Sequence, residues 1–318
     1  MSKQYRVIPI FLPMLACPHR CVYCNQYVIS GQQRLPDVED VRNTVERNLS
    51  TIPSDFHKRI AFFGGSFTCL PSAIRDRYLD AVQPYVLSGQ VEGIQISTRP
   101  DYVDESVLQS LKHKNVKLIE LGAQSLDDEI LKRCGRGHGV ADVERASALV
   151  RRFGIALGLQ MMVGLPGDTR EKSMHTAKLI SEFGACCTRI YPTLVVEGTA
   201  LAEDFRKGRY LPLSLEEAVD WCKDLYRFFV KQGVAVLRLG LHPTEDLRNG
   251  GNLLAGPFHV SFKELVLTAL WRDRISSQIA AEQREDITVV VPSQEINYAV
   301  GYASANRKRF PHVKFQQA

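Results

Sequence analysis

From Tyr5 to Gln232, short β-branched apolar runs alternate with longer amphipathic stretches. Strands are predicted at Tyr5–Phe11, Arg59–Phe63, Gly93–Thr98, Lys117–Leu121, Ile155–Val163 and Cys187–Val195. Helices are predicted between them at Val38–Ser50, Pro71–Val86, Asp104–Lys112, Leu126–Cys134, Val140–Phe153, Arg170–Phe183 and Leu215–Gln232. Such alternation predicts parallel strands joined by right-handed helical crossovers, with helices packed outside the sheet. The pattern by itself fits an open doubly wound sheet or an incomplete (β/α) barrel. In both, chemistry belongs at the carboxyl ends of the strands.

Past Gly233 the pattern changes. Val234–Leu239 reads as a strand, followed by a Gly/Asn-rich loop to Gly256 and a helix over Phe262–Ala281. A strand at Ile287–Val291, a helix capped by Ser293 and running to about Lys308, and a strand at Val313–Gln316 complete the chain. The division expected is a barrel over 1–232 and a small C-terminal α/β subdomain over 233–318.

The unusual residues cluster just after the predicted strands. After the first comes Cys17-Pro-His-Arg-Cys21-Val-Tyr-Cys24, a C-x₃-C-x₂-C spacing. Thiolates suit iron–sulfur clusters and zinc. Full ligation of a cubane takes about four cysteines, so three in one tight loop leave one iron open for chemistry. A structural zinc site is the bland alternative, with His19 as fourth ligand, although the loop is cramped for one tetrahedron. The other five cysteines, Cys69, Cys134, Cys186, Cys187 and Cys222, read as structural thiols. Eight cysteines in 318 residues, two of them adjacent, do not suggest a disulfide framework and point to a reducing compartment.

Composition excludes little else. A content of 45% hydrophobic and 24% charged residues supports a sizeable core, and a net charge of +5 permits a nucleic-acid partner without arguing for one. The N-terminal stretch, broken by Pro9 and Pro13, lacks a secretory pattern, and no run reaches the roughly 18 apolar residues that span a bilayer. A cytoplasmic protein with no membrane association is expected.

The cysteine loop resembles that of radical S-adenosylmethionine (SAM) enzymes, with Tyr23 at the aromatic position before the last cysteine. The resemblance decides for a partial (β/α)6 TIM-type barrel. It implies a [4Fe–4S] cluster held by Cys17, Cys21 and Cys24, with S-adenosyl-L-methionine on the open iron, cleaved reductively to a 5′-deoxyadenosyl radical. The later strand ends take roles under it. Gly64 and Gly65 hold the amino group of SAM's methionine moiety and Tyr23 lies beside the adenine. Arg99, in Ser97-Thr-Arg99-Pro-Asp101, clamps the carboxylate unless it simply pairs with Asp101. Gln124 reaches the ribose hydroxyls, while Met162 and Tyr191 lie at the adenine.

The segments IAFFGGSFT, STRPDYVDE, LIELGAQSLDDEIL, RCGRGH, MMVGLPGDT, RIYPTLVVEGTALAEDFRKGRY and GPFHVSFKELV occur in that order. They look like the radical SAM domain of the Elongator catalytic subunit and its stand-alone bacterial relatives over roughly residues 5–265. Two departures stand out: the cysteine loop here is more compact, and nothing after 265 is long enough for that subunit's acetyltransferase domain. The resemblance implies action on an RNA base, with tRNA as partner and a flavodoxin or ferredoxin as reductant. It leaves open a small-metabolite substrate, a non-catalytic RNA-binding protein with structural metal, and a cluster used for electron transfer alone. His242 and His259 are the substrate-side candidates, and Arg136-Gly-His138 is placed toward the cavity. The aromatic and basic stretch Tyr298…Tyr302…Arg307-Lys-Arg-Phe310 suits RNA, or else is a solvated helix end.

Overall fold

In the computed structural model, residues 5–13, 17, 19–25, 28, 34–241 and 251–318 are described. Seven parallel strands form one sheet: β1 (Tyr5–Leu12), β2 (His57–Gly64), β3 (Ile94–Thr98), β4 (Val116–Gln124), β5 (Ala156–Val163), β6 (Cys187–Pro192) and β8 (Ala235–Leu239). Their order in space is their order in sequence. A doubly wound sheet reverses direction partway; this one never does, so every crossover advances the same way and the sheet curls into a half-barrel.

The crossovers are α1 (Val38–Thr51), α2 (Ser72–Leu87), α3 (Glu105–His113), α4 (Asp128–Arg133), α5 (Val140–Arg152), α6 (Arg170–Glu182), α7 (Ala200–Arg206) and α8 (Leu215–Lys231). Their starts are written in the sequence. Asp37, Asp104, Asp127, Thr169, Thr199 and Ser214 each accept a backbone N–H in the first turn. A cap of this kind contributes about 1 kcal/mol. Pro71 occupies the capping position of α2 rather than its first helical position, because its ψ of 139° is extended.

Alternation along the strands sorts side chains onto two faces. Ile8, Ile10, Leu12, Ile60, Phe62, Ile94, Ile96, Ile119, Leu121, Leu159 and Met161 share one core with Val41 and Val45 of α1, Leu79 of α2, Leu108 of α3 and Val143 of α5. Phe62 is fully buried there. Truncating such a phenylalanine to alanine costs about 3–5 kcal/mol. The opposite, concave face is polar. On it Glu120 is paired with Arg189 at 2.5 and 3.0 Å and receives bonds from Gln95 and Gln160, while Gln160 also donates to Ser97 at 3.2 Å.

Two expectations change. The strand after Gly233 is the seventh of the main sheet, beside β6, because α8 returns the chain over the sheet in the same sense as every earlier crossover. It lies past the division expected at 232/233. The helix expected from Ser293 is broken: a 3-10 turn at Ser293–Glu295 precedes α10 (Ile296–Val300) and α11 (Ala305–Arg309). Gly301, Ala303 and Ser304 between those two helices take positive φ, which no continuous helix accommodates. Past the sheet the chain also carries α9 (Phe262–Glu282) and a parallel pair, β10 (Thr288–Val291) with β11 (Lys314–Gln317). A short antiparallel ribbon pairs β7 (Val195–Val196) with β9 (Leu253–Ala255). Among the described residues no helix is long and apolar enough to cross a membrane.

Candidate functional site

The cysteine loop leaves the carboxyl end of β1 and docks on the segment that follows α4. Val22 N–H donates to the Cys134 carbonyl at 3.1 Å, and the Val22 carbonyl accepts from Leu201 N–H at 2.8 Å. Cys24 N–H closes a turn onto the Cys21 carbonyl at 3.0 Å. Gly137 has φ +74°, and a Cβ there would lie 2.7 Å from the His19 ring, so only glycine admits that ring. Cys21 and Tyr23 are buried in an apolar cluster with Ile130, Cys134, Leu165 and Tyr210, against which Cys24 and Met162 also pack.

Cys21 is the buried member of the cysteine triplet; Cys17 and Cys24 are half-buried. Arg136 donates from Nη1 to Cys21 Sγ at 3.3 Å. Cys17 Sγ donates to the His19 carbonyl at 3.4 Å. Among the described residues no three His, Cys, Asp or Glu side chains are grouped closely enough to hold one metal ion.

Beside the loop lies the end of β3. Arg99 is buried, and its Nε and Nη2 take both Asp101 oxygens at 2.9 Å. Its fork is therefore filled by Asp101, and Nη2 also reaches the Arg136 carbonyl. Arg99 N–H donates to Ser66 Oγ at 3.0 Å, and Ser66 Oγ bonds Thr98 Oγ1 at 2.9 Å. Cys69 Sγ donates to the same Ser66 oxygen at 3.0 Å, and burial pushes the Cys69 thiol up to about 11.

Gly64 and Gly65 close β2 against the end of β1, where Gly65 N–H donates to the Leu12 carbonyl at 3.0 Å. At the end of β4 the register with β5 shifts between Gly122 and Gln124, and Gln124 takes φ +67°. A side chain held in that region costs energy and marks a constrained site. Arg136 Nη2 donates to the Gly122 carbonyl at this bulge.

Nine buried side-chain polar atoms lack a hydrogen-bond partner among the described residues, and five belong here: Tyr23 Oη, Arg99 Nη1, Gln124 Oε1, Arg136 Nε and His138 Nε2. An unpaired buried polar atom costs about 1–3 kcal/mol, so these five leave donors and acceptors for a polar ligand to satisfy. Burial raises the Tyr23 hydroxyl well above its ordinary range, keeping it protonated. Burial, with the Arg136 and Arg99 cations, lowers the His138 imidazole to about 3, so it stays neutral.

The sequence-predicted residues are therefore brought together unevenly. Cys21, Cys24, Tyr23 and Met162 share one cluster, Cys69 and Arg99 both bond Ser66, and Cys17 bonds the His19 carbonyl. Tyr191 neighbours Met162 in register and bonds Arg189 on the concave face. His259 lies at the foot of α9, where its Nδ1 accepts from Ser261 N–H at 3.0 Å and its ring meets Tyr302 edge-on at 5.3 Å. His242 lies outside the described residues. Asp101 is the partner the sequence offered for Arg99 as the alternative to a carboxylate ligand, whereas the sequence assigns no role to Ser66, Arg136 or His138. The only signal was the glycine on each side of Arg136 in Gly135-Arg136-Gly137.

The sequence profile of the Radical SAM superfamily matches residues 11–180, and that of the Radical_SAM C-terminal domain matches residues 186–272. A tRNA uridine(34) acetyltransferase of Dehalococcoides mccartyi is 31% identical over 254 residues, covering 67% of this chain and 55% of its own. Elongator complex protein 3 of Saccharomyces cerevisiae is 27% identical over 259 residues, covering 67% of this chain and 46% of its own. The chain thus spans about half the length of these curated relatives. The structure of the archaeal Methanocaldococcus infernus Elp3 with an N-terminal deletion superposes with a TM-score of 0.65 at 21% identity, over 93% of this chain and 70% of that one. That likeness carries the half-barrel fold.

Proposed function

Because the chain belongs to the radical SAM superfamily, we propose that Cys17, Cys21 and Cys24 hold its [4Fe–4S] cluster and that the neighbouring strand ends hold S-adenosyl-L-methionine. The protein is a radical SAM enzyme. Bound together, the two cofactors would supply one-electron reductive cleavage of a sulfonium carbon–sulfur bond. The observation that carries the assignment of residues is the set of five buried polar atoms without partners on residues at and beside the cysteine loop.

The chain's own groups divide the work. Tyr23, buried with Cys21, keeps water from the loop and lies beside the adenine. Gly64 and Gly65 bring bare backbone to the methionine amino group. Gln124 Oε1 accepts from a ribose hydroxyl. Met162 and Tyr191 flank the adenine. Arg99, its fork already on Asp101, offers Nη1 alone to the carboxylate, and Arg136 Nε is the second donor for it. Neutral His138 adds no charge to the site.

The substrate proposed is a tRNA base, by way of the relative whose name is tRNA uridine(34) acetyltransferase. His259 and His242 are the substrate-side residues, and Arg307, Lys308 and Arg309 in the last turn of α11 meet the phosphates. A flavodoxin or ferredoxin supplies the electron, and the protein works in the cytoplasm.

Anaerobic reconstitution tests this. Iron and sulfide should each approach about four per chain, and dithionite should drive SAM cleavage that unmodified tRNA stimulates. Cys21→Ala should abolish uptake and cleavage alike. A Cys21→Ala protein that still cleaved SAM would refute the ligand assignment; cleavage indifferent to tRNA but stimulated by a metabolite extract would refute the substrate.

A further inference from the structure

Arg136 and Cys21 share one buried contact. The guanidinium is held at two points, with Nη1 donating to Cys21 Sγ at 3.3 Å and Nη2 to the Gly122 carbonyl on β4, while the backbone carbonyl of Arg136 receives Arg99 Nη2. Arg136 is 6% exposed and Cys21 likewise 6%. Its charge cannot be removed at any physiological pH, and it lies in a low-dielectric setting where screening is weak.

Holding the loop in place does not require that charge. Backbone bonds already do so: Val22 N–H to the Cys134 carbonyl, and Leu201 N–H to the Val22 carbonyl. A guanidinium aimed at the sulfur has another consequence. An N–H donated to a ligating thiolate withdraws electron density from it, and a fixed positive charge stabilises whichever state is more negative. Both effects favour the reduced cluster.

We infer that Arg136 raises the reduction potential of the cluster through its N–H···S bond to Cys21. The inference rests on the reading of Cys17, Cys21 and Cys24 as cluster ligands. Cys21 is the buried member of the three, and a thiolate taken out of water needs compensation more than one at the surface.

The test is an EPR-monitored redox titration of anaerobically reconstituted protein without SAM, comparing the parent with Arg136→Met and Arg136→Gln. Arg136→Met removes both donor and charge and should shift the reduction equilibrium at least tenfold toward the oxidised state, about 59 mV more negative for one electron. Arg136→Gln keeps an N–H without the charge and should fall between. If only one variant takes up its cluster, that one decides. A loaded variant that titrates with the parent overturns the inference. So does failure of both variants to load while the parent loads, since the role is then structural. A parent protein that takes up no cluster removes the underlying reading and this inference with it.

Discussion

The carbonyl oxygen of Leu12 stands where a side chain on Gly64 would begin: a Cβ built on Gly64 falls 2.1 Å from it. The two residues are register partners at the ends of β1 and β2, and Gly64 has φ +103°. Gly64→Ala combines an impossible contact with a strained backbone, so the ends of β1 and β2 must separate. A loss of about 2–4 kcal/mol is expected in urea melts, together with reduced cluster uptake, because the cysteine loop begins at that strand end. A variant with parental stability would show that the strand ends yield without cost.

Gln124 predicts the opposite balance. Its φ of +67° is one that glycine adopts freely. Gln124→Gly should be no less stable than the parent, gaining up to about 1 kcal/mol. It should bind SAM about five- to tenfold more weakly, the worth of one hydrogen bond from the Oε1 atom now without a partner. Equilibrium dialysis with labelled SAM reads the affinity; unchanged binding removes Gln124 from the site.

The Glu120–Arg189 pair lies on the concave face, with the Glu120 side chain 2% exposed. Glu120→Leu strands a buried guanidinium and should cost about 3–5 kcal/mol. The double variant Glu120→Leu/Arg189→Met should recover most of that loss, because neither charge is then left uncompensated. Denaturant melts of the two singles and the double decide; strictly additive losses would mean that the two groups do not interact.

His138 gives a pH dependence. Its folded-state pKa is depressed to about 3 from 6.5, by burial first and then by Arg136 and Arg99. Below about 6.5 the unfolded chain takes up a proton that the folded chain refuses, so this group's contribution is present above that pH and lost as pH falls toward about 3. The slope reaches about 1.4 kcal/mol per pH unit. Melts of the parent and His138→Gln between pH 7 and about 5 check it: the parent should lose more stability than the variant, and parallel profiles would count against a buried neutral imidazole.

Much of the half-barrel was legible because its signals are local. β-branched runs, capping residues such as Asp104 and Ser214, and glycines after strands act within one turn or one loop. The break between α10 and α11 was not legible: the basic, aromatic stretch has helical spacing, and only the positive φ values at Gly301, Ala303 and Ser304 divide it. The seventh strand was legible as a strand but not as a member of the sheet, since membership depends on where α8 returns the chain.

The same division holds at the site. Spacing in the sequence determined that three thiols share one loop after β1, and that glycines, an arginine and a glutamine follow later strands. Only the tertiary structure decided their partners: Asp101 fills the fork of Arg99, and Arg136, 115 positions from Cys21, brings its charge to that sulfur. The reason is physical. A loop's composition is fixed by neighbours along the chain, whereas the compensation of a buried charge depends on which distant strand end the fold carries alongside it.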